Sequence, residues 1–474
     1  MRFATTLALI SLLTGCRAEV DLGGVGGPTG DMGVTAGGAQ DIGYARAVIA
    51  EGGVPESNAI VTEGLLSEHD LPVVGAPCDE MLCVRPALGI APSLATGEIE
   101  HWVQIGMSSG MQQPYVRPPM DFVMVIDRSS SMEIDLTETM RGVGGMIDHM
   151  GPSDRLGIVT FNQGVQVLHP LGEVEDAAAL KAELLSIEAR GSWDLMPAMD
   201  TGLQMLTDAG DDPTRLRRIG LMTCGYPGVS VGNTDEFSTL VFDAANERIG
   251  TSVYGVLLGY DPGLADLLGQ SRGGSFHYLE SLEKVETVFD DEFDTMVSPL
   301  AYDLHFDVMP GAAWQLEKLY GIPGDDGDTV ARAGFDVATA FLSKRNGAMF
   351  ARLTESIGSW DPDDIDTVAN VELSYVPESA HGFEGAKTEH ETVLTAESDI
   401  YYAGIGVRKG VALINQAEQM GRACDQFHAG DVADAVATLD ELHAFLDGEA
   451  EALDDDALRT EVALVEALAD NMQR

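Results

Sequence analysis

Four short apolar runs set the strongest limit on what this chain can fold into: 122–126 (FVMVI), 156–161 (LGIVTF), 219–223 (IGLMT) and 253–258 (VYGVLL). A run with no polar alternation has two faces to bury, as a central strand covered on both sides does. Segments of helical period separate the runs, at 177–187, 195–206 and 238–248. Strand and helix in alternation predict a doubly wound, Rossmann-like α/β unit with a parallel sheet over 119–299.

In such a sheet, ligands bind beyond the carboxyl ends of the strands. The first run leads there into an acid and spaced hydroxyls, VMVIDRSSSM at 123–132. Asp127, Ser129 and Ser131 are oxygen donors of the kind that hard divalent cations such as Mg²⁺ take. They supply only part of a coordination shell.

Further pieces follow in order: DRLGIVTF at 154–161, GSWDL at 191–195, LMTCG at 221–225, VLLG at 256–259 and GGSFHY at 273–278. Together with the DRSSS loop they resemble the von Willebrand factor A domain family, over about 180 residues. The resemblance implies a metal-ion-dependent adhesion site, in which two serines and a threonine ligate the ion and an acidic residue of a protein partner fills its open position. Asp127, Ser129 and Ser131 match that pattern directly. The threonine loop departs from it, because Trp193 stands on the threonine and Ser192 reaches the position only with a one-residue shift. The second aspartate is replaced by Cys224, a poor ligand for hard cations. Two readings stay open: a divalent site in which Asp194 replaces the lost carboxylate, and a metal-free, vestigial loop. Trp193 and Cys224 border the same face, where a large aromatic could anchor a protein partner.

The flanks read differently. Tyr302, Leu304, Phe306 and Val308 alternate with polar residues, as do Val371, Leu373 and Tyr375, and Ile99, Val103 and Ile105 repeat the pattern upstream. Period two with one wet face predicts antiparallel strands. The α/β unit is therefore expected as an insertion in an antiparallel β-sandwich built from 76–118 and 300–403. From 404 to 474 the period is helical: Val432, Val436, Leu439, Leu442 and Leu446 form one stripe, and Leu458, Val462, Val465, Leu468 and Met472 another. Cys424 falls in a preceding stripe, as a packing thiol.

The N-terminus reads as a secretory signal over 1–16, ending in LTGC. That ending resembles a bacterial lipobox, which implies lipidation of Cys16; Arg17 in the next position points to the outer membrane. Residues 17–75 are rich in glycine and poor in aromatics, and read as a flexible tether with an r.m.s. span of ~40 Å. Membrane contact is expected through the lipid alone. A net charge of −50, from 27 basic and 77 acidic side chains, argues against nucleic-acid binding. Cys78 and Cys83, in APCDEMLC, are close enough for a small disulfide loop. Zinc is the weaker reading, since no second Cys or His pair follows.

Two patterns suggest enzymes without supporting one. Residues 106–110 (GMSSG) fit a hydrolase elbow, but proline rather than a helix follows. Cys224 as a nucleophile would need a histidine, with His277 the candidate. The expectation is a binding protein, not an enzyme.

Overall fold

The computed structural model describes residues 21–22, 31–39, 42–111, 114–133, 136–224, 234–256, 262–279, 281–323, 334–356, 367–396, 398 and 400–474. The lipobox Cys16 lies outside them, as do 257–258 of the fourth apolar run. Two sheets organise the chain.

The first is a seven-stranded α/β sheet. Its centre is the strand Met120–Asp127, wholly buried and paired in parallel with Arg155–Phe161 on one side and Leu216–Thr223 on the other. Gly250–Val256 and Ser275–Leu279 extend it in parallel, and Val165–Gly172 closes the other edge antiparallel to Arg155–Phe161. Helices cover both faces. Val123, Val125 and Val159 pack toward the helices Met196–Asp208 and Thr234–Asn246, and Phe122, Met124 and Ile126 toward Leu136–Asp148 and the segment around Phe289. At the amino ends of the strands, Asp121 receives Arg155 Nε at 2.7 Å and Arg215 Nη2 at 2.6 Å, and Asp154 receives Arg117 Nη2 at 2.6 Å. Charge is paired at that end, which leaves the carboxyl ends to carry the site.

The second sheet has 11 strands and is almost entirely antiparallel. Cys83–Pro92, Ile99–Ser109, Pro299–Pro310, Gly334–Ser343, Ala348–Glu355 and Thr367–Pro377 surround one apolar core. The expected sandwich is one hydrogen-bonded sheet that turns over this core. Tyr375 Oη, from one end of the strand order, donates to Leu82 O at 3.0 Å, next to Cys83 at the other. Cys78 and Cys83 are disulfide-bonded. Ser108, the serine of GMSSG, is buried inside the strand Ile99–Ser109 and is not on an elbow.

Three helices, Ile405–Ala429, Val432–Leu453 and Asp456–Met472, form the C-terminal unit. Both predicted stripes meet there, with Leu439, Leu442, Leu446, Leu458, Val465 and Leu468 fully buried; Cys424 is a buried free thiol.

The tether expected over 17–75 is corrected by the structure. Asp21–Leu22 pairs with Tyr401–Tyr402, and Met32–Ala36 lies between Ile99–Ser109 and Gly334–Ser343 in the antiparallel sheet. Gly38–Ala39 adds a strand to the α/β sheet. Helices Gly43–Ala50 and Thr62–Glu68 pack with the C-terminal unit, where Arg46 Nη2 meets Glu461 Oε1 at 2.8 Å and Asn471 Nδ2 donates to Ile49 O at 2.8 Å. The glycines here serve close approach: a Cβ on Gly33 would lie 2.1 Å from the carbonyl oxygen of Arg345. The α/β unit is accordingly not confined to 119–299, because it takes an edge strand from this segment.

Candidate functional site

The strand Met120–Asp127 ends level with its two neighbours. Asp127 is in register with Phe161, and Ile126 with Met222, so the chain ends Asp127 and Thr223 lie side by side. Asp127 is fully buried, and among the described residues it makes no ion pair. Its Oδ1 accepts the Ser129 N–H at 2.7 Å and its Oδ2 the Thr223 hydroxyl at 2.8 Å. A carboxylate this deep without a counter-charge is costly unless hydrogen-bonded or met by a cation.

After Asp127 the chain turns across the sheet end. Arg128 N donates to Phe161 O, Ser130 N to Gly191 O at 3.0 Å, and Arg190 N to Arg128 O at 2.8 Å, so the DRSSS loop is strapped to the loop before Met196–Asp208. The strapping brings Ser129 Oγ and Ser131 Oγ to 2.8 Å. That spacing is close to the ~3 Å edge of an octahedron with ~2.1 Å bonds, which Mg²⁺ requires. The two hydroxyls and the carboxylate thus fit part of a hard-cation shell.

The other two loops do not complete it. Trp193, at the position of the family's threonine, is half-buried and turned inward: its indole N–H donates to Thr223 Oγ1 at 3.1 Å, and its ring stands edge-on to Phe161 with centroids 6.2 Å apart. Cys224 Sγ lies 3.0 Å from Ser131 Oγ and 3.9 Å from Asp127 Oδ2. Burial, partly offset by the bond to Ser131 and reinforced by the Asp127 charge, pushes the thiol above its ordinary pKa, so it stays protonated and donates. Such a thiol is a poor nucleophile, and its side-chain partners are Ser131 and Asp127, not His277.

The structure therefore joins Asp127, Ser129, Ser131, Trp193, Thr223 and Cys224 in one hydrogen-bonded cluster. Ser192 and Asp194 stand outside it. Both are exposed; the Ser192 amide donates to Gln163 Oε1 at 3.1 Å, and Asp194 makes no hydrogen bond or ion pair among the described residues. Thr223 is the member that local spacing did not single out. Its signal was the level ending of two apolar runs, which sets the last residues of both side by side.

Residues 122–226 match the model of the von Willebrand factor type A domain. This part of the chain is similar to a von Willebrand factor type A domain, and it lies between antiparallel strands and is followed by helices. An uncharacterised protein of Synechocystis, sll0103, is 23% identical over 181 residues, which cover 38% of this chain and 42% of the relative. The Escherichia coli protein YfbK, also uncharacterised, is 22% identical over 203 residues, 42% of this chain and 35% of the relative. The chain thus spans less than half the length of these two curated relatives. Among solved structures, a von Willebrand factor type A protein of Catenulispora acidiphila is 15% identical, with 76% of this chain and 84% of the other covered and a TM-score of 0.49.

Proposed function

We propose that this protein is a lipid-anchored binding protein of the cell envelope, attached at Cys16 to the outer membrane, whose von Willebrand factor type A domain grips a protein partner at the carboxyl ends of its parallel strands. The observation that carries the reading is the buried carboxylate of Asp127, which makes no ion pair among the described residues, beside two serine hydroxyls at 2.8 Å, at the end of the sheet where this fold binds ligands. Asp127, Ser129 and Ser131 are the residues that would hold a divalent cation, which when bound offers an open position to a partner carboxylate. Trp193 and Cys224 form the wall beside it. No helix among the described residues is long and apolar enough to cross a membrane.

Calorimetric titration of Mg²⁺ and Mn²⁺ into the protein tests the metal-bridged form. Saturable binding is expected, abolished by Asp127→Ala and tightened at least tenfold by Cys224→Asp, which returns a carboxylate to the cluster. A flat titration for both the intact protein and Cys224→Asp would remove the cation from the reading.

A second reading, an assembly scaffold with a vestigial metal site, draws on the inward bond of Trp193 to Thr223. Crosslinking on native envelopes separates the two. Loss of the partner in Ser131→Arg supports binding at this face, and its retention supports the scaffold.

A further inference from the structure

A groove lies where four parts of the molecule meet. The helix Ile405–Ala429 forms one wall, the strand Trp314–Tyr320 of the antiparallel sheet a second, and the 3-10 turn Ser57–Ala59 with Ile60 and Val61 a third; the helix Pro262–Gln270 of the α/β unit contributes Ala265. Its volume is about 880 Å³, within the ~300–1,000 Å³ usual for small-molecule sites, which concentrate at junctions of this kind.

Part of the lining is already engaged. Glu418 Oε1 accepts Lys318 Nζ at 3.1 Å and the Tyr320 hydroxyl at 2.9 Å, which ties the helix to the strand and fixes these two walls. Gln419, the next residue, differs: it is only 7% exposed, it lines the groove, and its side chain makes no hydrogen bond among the described residues. A primary amide this deep is costly to desolvate unless its N–H groups and its carbonyl are both answered. Arg422 and Asp425, each one turn further along the same helix, also line the groove and make no hydrogen bond or ion pair among the described residues. The side chain of Asn58, in the 3-10 turn, makes none either.

The groups left to a ligand are therefore two amides, a guanidinium and a carboxylate. They offer donors and acceptors together, with one charge of each sign, and so suit a neutral ligand that both donates and accepts at each contact. Adjacent hydroxyls on a sugar ring do this, because each donates one proton and accepts on two lone pairs. Their spacing matches the paired polar atoms of an amide, a guanidinium or a carboxylate. Ile60, Val61 and Leu319, also in the lining, give the C–H face of a ring an apolar surface. A phosphorylated ligand would instead meet Asp425 with like charge.

We propose that this groove binds a neutral oligosaccharide, held through its hydroxyls by Gln419, Asn58, Arg422 and Asp425. The groove is separate from the Asp127 cluster and does not depend on it.

Maltotriose, cellotriose and chitotriose, with trialanine as a peptide comparator, are titrated calorimetrically into the full chain. At least one trisaccharide is expected to bind saturably at one site, with trialanine silent. Gln419→Leu keeps much of the side chain's bulk and removes the amide. It should weaken binding at least tenfold while leaving the melting temperature unchanged or higher, since a buried polar group without a partner is lost. Arg422→Ala, at an exposed position, should weaken binding at least threefold. Silence of all three sugars, trialanine binding as tightly as any of them, unchanged affinity in Gln419→Leu, or a fall in that variant's melting temperature would each overturn the assignment.

Discussion

Substituting Glu461 tests how the N-terminal segment is fastened to the rest of the protein. Glu461, 2% exposed, accepts hydrogen bonds from His69 Nε2 at 3.2 Å, Arg46 Nη2 at 2.8 Å and Gln416 Nε2 at 2.6 Å. Burial alone would raise its pKa, but the bond from His69 and the Arg46 charge outweigh burial and hold the carboxyl at about 2, against 4.5 for a free glutamate. A gap of about 2.5 pH units, at 1.36 kcal/mol each, corresponds to about 3 kcal/mol of linkage. The folded pKa is depressed, so this contribution is complete above pH 4.5 and is lost as pH falls from 4.5 toward 2. Glu461→Gln has no proton to bind in that window. Urea unfolding followed by circular dichroism at pH 6.5, 4.5 and 3 should show the variant less stable at pH 6.5, with a shallower fall below pH 4.5. The difference between the two falls should reach about 2 kcal/mol at pH 3, since the full linkage is lost only below pH 2. Parallel pH curves for the two proteins would refute the reasoning. Faster amide exchange over Gly43–Ala50 in the variant would locate the loosened contact.

Two glycines should respond in opposite directions. Gly33→Ala drives a Cβ to 2.1 Å from the Arg345 carbonyl oxygen and should cost about 1–3 kcal/mol. Gly448→Ala, exposed within Val432–Leu453 with nothing within 4 Å, should add up to about 1 kcal/mol; thermal melts of both variants check the pair. Reducing the Cys78–Cys83 bond, whose loop is short, should cost about 2 kcal/mol, seen as a reductant-dependent fall in melting temperature that a Cys78→Ser/Cys83→Ser variant lacks.

Which parts of the fold could be read from sequence follows from where each residue's information lies. The runs at 122–126, 156–161 and 219–223 were legible because strands buried on both faces leave no polar alternation. Val165–Gly172 was not, because it is an edge strand with no buried side chain to set a pattern, and Pro170 is tolerated there. Residues 32–68 looked like a tether because composition cannot distinguish glycine that frees a chain from glycine that lets two backbones touch, as Gly33 does. At the site, Asp127, Ser129 and Ser131 sit within five residues and were legible together. Thr223 enters by strand register, and the inward aim of Trp193 is set by packing against Phe161, neither of which local spacing encodes.

The weaving of residues 32–70 into the body has a consequence for the order of events at synthesis. Arg46 and its partner Glu461 are separated by 415 positions. At ~5–20 residues per second the first must wait roughly 20–80 s for the second to be made. The strands wait less: Gly38–Ala39 needs Ser275–Leu279, and Met32–Ala36 needs Ile99–Ser109 and Gly334–Ser343, so both can be placed before the C-terminal helices are made. It is the helices Gly43–Ala50 and Thr62–Glu68 that lack their full partner until the end. The nascent chain thus holds unpaired strand edges until about residue 343 has been made and an unpartnered helical face until the last helix arrives, and it depends on whatever shields both in the meantime.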